Sequence, residues 1–243
     1  MMNDTSRADA ESDRTGGSDE RIAPEPLLVE DTLLLLFQPD SGTIAGENIL
    51  FYVLGGALLG DLALAGRTEA EQHRFSVSVH ATGEGPLPDA LLDPAWEYVS
   101  QKPRDVQTVL AAIGPALRGP VLDRLVERGD LSRHEGRTLG IFPSTKLALA
   151  SDRRAGLIAR VRAALVDGET PDARTAASIA LLSASGTLPQ FDSEIPWSGD
   201  VSTRSKTIER GDWGASAASS AVTRTMNAII ANAVIAATVL PRT

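Results

Sequence analysis

The chain has 243 residues, 42% of them hydrophobic, enough to bury one sizeable core, and it has no cysteine, which excludes disulfides, thiolate nucleophiles and thiolate metal sites. A net charge of −9 and a pI near 4.9 argue against general affinity for nucleic acid or anionic membrane, because non-specific binding to either is driven by basic surface. Arginine outnumbers lysine twenty to three, a bias of high-GC bacterial genomes.

Residues 1 to 26 hold seven acids, three bases and almost no apolar side chain, so burial cannot offset the entropy of ordering them. A disordered acidic tail is expected there, with one domain over residues 27 to 243. The tail lacks the apolar stretch of a signal peptide, and a cytoplasmic protein is expected. LLVEDTLLLLFQPDSG (Leu27 to Gly42) is an apolar run closing in a Pro-Asp-Ser-Gly turn signal; Leu33 to Phe37 fits strand or helix, and the leucines favour helix.

Ile49 to Arg67, ILFYVLGGALLGDLALAGR, is the stretch the rest is organised around. Its seventeen residues up to Ala65 carry one charge, Asp61, and three glycines, Gly55, Gly56 and Gly60. At about 1.5 Å per residue it spans roughly 25 Å, short of the roughly 20 apolar residues of a membrane span. A helix apolar on every face must be surrounded by protein. Its glycines, each costing about 1 kcal/mol against alanine, make sense where neighbouring helices approach the backbone. Asp61 reads as an end-of-helix acid facing solvent or an arginine, since a buried carboxylate requires a partner.

In His73 to His80, Phe75, Val77 and Val79 alternate with polar residues, which predicts a half-buried strand in a hairpin. A Gly/Pro loop then leads to a short helix through Leu91, Leu92, Ala95, Trp96 and Val99. Asp105 opens another, with Val106, Val109, Leu110 and Ile113 at helical spacing. Pro120 to Arg128 reads as a helix ended by Gly129, with Pro120 in its first turn. Thr138 to Phe142 reads as one arm of a second hairpin. Helices follow at Arg153 to Val166 and at Pro171 to Ser185, the latter with Thr170 as N-cap. Leu188 to Ser202 reads as irregular loop. Ala215 to Val239, with Arg224 its single charge, reads as a long buried helix whose Ser219, Ser220, Asn227 and Asn232 make it a poor membrane span.

Chemistry-bearing motifs are sparse. His73, His80 and His134 lack metal-ligand spacing, and no G-x-S-x-G, P-loop or G-x-G-x-x-G appears; Gly55, Gly56 and Gly60 lie inside a helical pattern. No catalytic residue, metal or cofactor is expected. Charge distribution stands out instead. Between Arg118 and Arg162 ten basic residues face five acidic ones, a block of +5 inside a chain of −9. That block reads either as the solvated faces of amphipathic helices, with local pairing of Asp123 and Glu127 to Arg128, or as an anion site, since guanidinium forks suit phosphate.

Five segments, LLVEDTLLLLFQPDSG, DLALAGR (Asp61 to Arg67), PLPDALLDPAW (Pro86 to Trp96), LVERGDL (Leu125 to Leu131) and DARTAASIALLSASGTL (Asp172 to Leu188), resemble the Golgi phosphoprotein 3 family in order and spacing, from about Leu27 to Phe191. The resemblance implies a mostly α fold: one globular helical domain around a buried central helix, with peripheral β-hairpins. It also implies no catalysis and peripheral docking on membranes, where eukaryotic members bind phosphatidylinositol 4-phosphate and hold cytosolic tails of membrane proteins. Of the four side chains those members use for the lipid, one tryptophan and three basic residues, counting from the motifs leaves Gly46, Gly55 and Pro115 in place of three and retains Arg118.

The leading expectation is a non-enzymatic peripheral membrane or adaptor protein that meets an anionic phospholipid headgroup at Arg118, on the cytoplasmic face of a membrane. Two other readings stand beside it. A helix, the Gly129 turn and a hairpin around Arg137 to Phe142 also fit a winged-helix nucleic-acid module, against which the overall acidity weighs, and a pure protein-interaction scaffold needs no small ligand. Homo-oligomerisation stays open.

Overall fold

Leu28 to Leu36 resolves as helix, as its leucines favour, and all nine residues of this helix α1 (Leu28–Leu36) are buried, Glu30 and Asp31 included. The computed structural model describes residues 25–74, 76–138, 142–211 and 224–230. A helix covered on every side needs neighbours on every side. Those of α1 are α2 (Leu50–Leu64), α5 (Arg118–Glu127), α6 (Arg153–Arg162) and α7 (Ala173–Ala184).

Helix α2 lies at the centre, as its composition requires. It is entered through a 3-10 turn (Glu47–Ile49), and only Phe51, Tyr52 and Leu64 of its fifteen residues are less than fully buried. Beyond α1 it packs on α4 (Val106–Ile113), on the 3-10 turn Gly114–Ala116 and on α7. Glu47–Leu64 is long and apolar enough to cross a membrane by length and composition, yet 67% of it is buried in this fold. Small residues permit the close contacts: a β-carbon on Gly55 would stand 3.1 Å from Leu110 Cδ2, and one on Gly60 2.9 Å from Leu28 Cδ2. Gly114 is tighter still, since its β-carbon would fall on the Phe51 carbonyl. The apolar side chains form one contiguous core running from Leu27 to Ile230.

Asp61 corrects the sequence reading, because it faces neither solvent nor an arginine. It is buried, and its two carboxylate oxygens accept the backbone N–H groups of Leu28, at 2.6 Å, and Val29, at 3.0 Å. The reason lies in the helix beside it. The first N–H groups of an α-helix have no partner within the helix, and Leu27, at the N-cap of α1, has no side-chain acceptor to offer. Burial pushes the Asp61 pKa up from 3.8 to about 7, against the two N–H donors and the Arg174 charge, which pull it down.

Hairpins decorate this helical body. Strands β1 (Phe37–Gln38) and β2 (Thr43–Ile44) pair after α1; β3 (Thr68–Gln72) and β4 (Val77–Ala81) pair with Ala70 opposite Val79, and β5 (Arg104–Asp105) joins the other edge of β4. The alternation of Val77 and Val79 holds, while Phe75 lies outside the described residues. Strands β6 (Leu131–Thr138) and β7 (Phe142–Leu149) form the longest ribbon. The expected arm at Thr138 to Phe142 is not one strand: Thr138 ends β6, Phe142 begins β7, the two are paired, and residues 139–141 lie outside the described residues. The arms escape apolar pattern reading because Arg133, His134, Glu135, Thr145 and Lys146 are exposed, so among the described residues burial imposes no alternation on these stretches.

Three boundaries also move. Helix α5 begins at Arg118, two residues before Pro120, which still falls in the first turn, where a missing N–H does no harm. The N-cap of α7 is Asp172 and not Thr170; its Oδ1 accepts the Thr175 N–H at 2.7 Å. Leu188 to Ser202 is not all loop: it holds a 3-10 turn (Leu188–Phe191) and the start of α8 (Gly199–Glu209), a polar helix capped by Ser198 and buried only at Val201, Ser205 and Ile208. Short helix α3 (Asp93–Ser100) follows a 3-10 turn at Ala90–Leu92. Of the expected C-terminal helix, residues 224–230 are helical, with Met226, Ile229 and Ile230 in the core. Its remainder, like residues 1–24 of the expected tail, lies outside the described residues.

Candidate functional site

Gly114, at the end of α4, turns the chain through Pro115 and Ala116 against the start of α2, and Arg118 emerges exposed as the first residue of α5. On the facing side Gly46, at φ +68°, enters the left-handed region that favours glycine and starts the 3-10 turn led by Glu47. The Arg118 Nε donates to Glu47 Oε1 at 2.6 Å, and its Nη2 lies 3.5 Å from Oε2. Both side chains are about half exposed, 49% and 53%.

The four positions singled out from the sequence thus gather at one corner. Gly46 precedes the Arg118 partner Glu47, and a β-carbon on Gly55 would sit 3.6 Å from the Gly114 Cα, beside exposed Pro115. Gly46 and Gly55 have no side-chain donor and Pro115 no donor at all, so Arg118 is the cation those four positions supply. Position 55 is also interior, and a long side chain there would have to displace Leu110. Sequence reasoning passed over Glu47, although the count that reached Gly46 stops one residue short of it.

Five more arginines of the basic block are engaged elsewhere. Arg124 holds Asp89 with two hydrogen bonds, at 2.5 and 3.0 Å, and stands 3.4 Å from the buried Glu30. Arg128 donates to the same Glu30 oxygen at 2.7 Å, while the other Glu30 oxygen accepts the Leu27 N–H at 2.6 Å. Arg153 bridges Asp31 and Asp130, and Arg174, outside the block, takes the second Asp31 oxygen at 2.5 Å. Arg154, itself buried, forms a two-pronged pair with Glu194 at 2.6 and 2.8 Å. Where local pairing to Arg128 was expected, Asp123 pairs with Arg133 across the start of the β6–β7 ribbon and Arg128 reaches the distant Glu30. Burial works against the guanidinium charge of Arg124 and of Arg153, but the carboxylates beside them outweigh it and hold both above the ordinary arginine value.

These contacts join the recurrent motifs to one another. Glu30 of the first motif meets Arg128 of LVERGDL, and Asp31 meets Arg174 of DARTAAS. Asp61 of DLALAGR caps the first motif, and Arg67 of the same segment donates to the Glu84, Gly85 and Pro86 carbonyls at the start of PLPDALL. Arg67 also stands over the Trp96 ring, 5.3 Å from its centroid. A buried charge must be paired, and here the charges of distant segments pair with each other.

Lys146, Arg160 and Arg162 remain exposed with no ion pair among the described residues. The histidines lie on or beside hairpins: His73 Nε2 is 2.9 Å from Ser78 Oγ, His134 Nε2 is 3.0 Å from Ser132 Oγ, and His80 stands 4.0 Å from Glu69. Among the described residues no three His, Asp or Glu side chains cluster in a way that would hold a metal ion.

In comparisons with known proteins, the family model of Golgi phosphoprotein 3 (GPP34) matches residues 28–225. No curated protein matches the chain.

Proposed function

Because the chain belongs to the Golgi phosphoprotein 3 family, we propose that it is a non-enzymatic peripheral membrane adaptor that recognises an anionic phospholipid headgroup, of the phosphatidylinositol 4-phosphate type, at Arg118. The observation that carries the reading is the pairing of Arg118 with Glu47 at the exposed corner between α4 and α5. An exposed ion pair contributes only about 0–1 kcal/mol, whereas a charge-assisted hydrogen bond to a phosphate contributes about 1.5–3 kcal/mol. A phosphomonoester can therefore displace Glu47 from Arg118 at little cost. In a chain of net charge −9, Glu47 then sets a threshold, so that surfaces of diffuse negative charge are refused and a concentrated phosphate charge is accepted. The adaptor half of the proposal is the binding of cytosolic tails of membrane proteins while the domain rests on the cytoplasmic membrane face.

Six of the ten cations in the block, Arg118, Arg124, Arg128, Arg133, Arg153 and Arg154, hold carboxylates of this chain, which leaves a winged-helix reading little cationic surface for DNA phosphates. The test is vesicle co-sedimentation with phosphatidylinositol 4-phosphate against phosphatidylglycerol of matched charge. Wild type is expected to pellet with the phosphoinositide vesicles, Arg118→Ala to lose roughly tenfold or more in affinity, and Glu47→Gln to gain. Equal binding to both vesicle types, or no effect of either substitution, overturns the proposal.

A further inference from the structure

On a different face, α1, α6 and α7 enclose an open cleft of about 310 Å³, at the small end of the roughly 300–1,000 Å³ range of ligand sites and suited to a small molecule or a headgroup. Its floor is apolar, made by Leu35, Leu157 and Val161, each buried in the core. Of its charged groups two neutralise each other. Asp31 gives one oxygen to Arg153 and the other to Arg174 Nε, and Arg174 Nη2 donates to the Pro26 carbonyl, so the Arg174 charge is matched although its Nη1 has no partner among the described residues.

Two other charged groups in the cleft have no ion-pair partner among the described residues. Arg160 is exposed, and its guanidinium has neither an ion pair nor a hydrogen bond among the described residues. Asp172 uses Oδ1 to cap α7, and no partner takes its other oxygen among the described residues. The wall that carries Arg160 is also irregular. Directly after Val161 and Arg162 the helix widens into a π-turn (Ala163–Asp167), held by Arg204, which donates to the Ala164 and Glu169 carbonyls. Such turns recur at functional sites because they re-aim the side chains beside them.

We infer that this cleft binds a small zwitterion, in which a phosphate or carboxylate is held by Arg160 and a primary ammonium by Asp172, with the connecting carbons over Leu35, Leu157 and Val161. One unpaired cation and one unpaired anion over an apolar floor complement a ligand that carries both charges better than a simple anion, whose second half would face the Asp172 carboxylate. A planar guanidinium fork suits the anionic end, and an acceptor-only carboxylate suits the ammonium. The inference is independent of Arg118, so neither fate decides the other.

Titration of the full chain with O-phosphoethanolamine, followed by calorimetry or amide chemical shifts, tests it, with inorganic phosphate and ethanolamine as controls. The zwitterion should bind saturably and at least tenfold tighter than either half. Arg160→Gln and Asp172→Asn should each weaken it about tenfold or more with the melting temperature kept, since Arg160 is exposed and asparagine retains the capping oxygen. Vesicles of phosphatidylethanolamine in phosphatidylcholine distinguish the source: retention above phosphatidylcholine alone assigns a lipid headgroup, and binding of the soluble compound only assigns a free metabolite. Binding of inorganic phosphate as tight as that of the zwitterion, no saturable binding, or insensitivity to both substitutions overturns the inference.

Discussion

Asp61 is the group whose environment makes the sharpest demand on solution behaviour. It is 5% exposed, caps α1 through the Leu28 and Val29 N–H groups, and has its pKa pushed by burial from 3.8 up to about 7. Between those two values the folded state binds a proton that the unfolded chain does not, so stability must fall as pH rises. The contribution is full below the unfolded value and is lost as pH passes through the folded value. Working from these two values, the Asp61 contribution declines by about 2–3 kcal/mol between pH 5 and pH 8. The perturbation is Asp61→Asn, which keeps one acceptor oxygen and removes the titration. Urea unfolding of wild type and variant at matched ionic strength gives two stability curves against pH, and their difference cancels the other titrating groups to first order. That difference should shrink in favour of the variant by roughly 2–3 kcal/mol from pH 5 to pH 8. A difference flat in pH would show that the two N–H donors outweigh burial and that Asp61 stays ionised throughout, which refutes the reasoning.

Other substitutions probe the packing and the internal ion pairs. Gly114→Ala drives a methyl into the Phe51 carbonyl and should destabilise by about 1–3 kcal/mol in urea, whereas Gly119→Ala, with nothing within 4 Å of its new carbon, should be neutral or slightly stabilising. Arg153→Ala leaves the buried Asp130 without a charge partner and Asp31 with Arg174 alone, and should cost about 3–5 kcal/mol by thermal or urea unfolding. Arg133→Ala, which breaks the exposed pair with Asp123, should change stability by less than about 1 kcal/mol in the same assay. Similar losses for the two arginine variants would contradict the division between buried and surface pairs.

Elements defined by apolar residues were legible from the sequence. The central helix α2 needed no partner information, because a stretch apolar on all faces can only be buried, and α4 followed from Val106, Val109, Leu110 and Ile113 at helical spacing. Elements defined by polar residues were not: α8 touches the core at three positions in eleven, and in β6–β7 the stretches Arg133 to Glu135 and Thr145 to Lys146 are exposed, so neither carries a periodic apolar signal. The role of the motif charges was hidden for another reason. Glu30 reaches Arg128 across 98 residues and Asp31 reaches Arg174 across 143, distances over which charge pairing leaves no local pattern. The excess of arginine in the block looked like a surface property, yet Arg124, Arg128, Arg153 and Arg154 are part-buried or buried against carboxylates of this chain. At the candidate site, Arg118 came from the family resemblance alone. Glu47 was within reach, an acid directly after a glycine that matched one of the four positions, but nothing local shows that the α2 entrance and the start of α5 share a corner.

A vesicle-affinity scan of the exposed cations separates Arg118 from the rest most directly. Arg118→Gln, Arg133→Gln, Arg160→Gln and Arg162→Gln each remove one positive charge, so a merely electrostatic attraction to phosphatidylinositol 4-phosphate vesicles would weaken by similar factors in all four. The expected result is a loss of roughly tenfold or more for Arg118→Gln and less than about threefold for the other three. Equal losses across the scan, or a larger loss at Arg160 than at Arg118, would contradict headgroup recognition at the corner between α4 and α5.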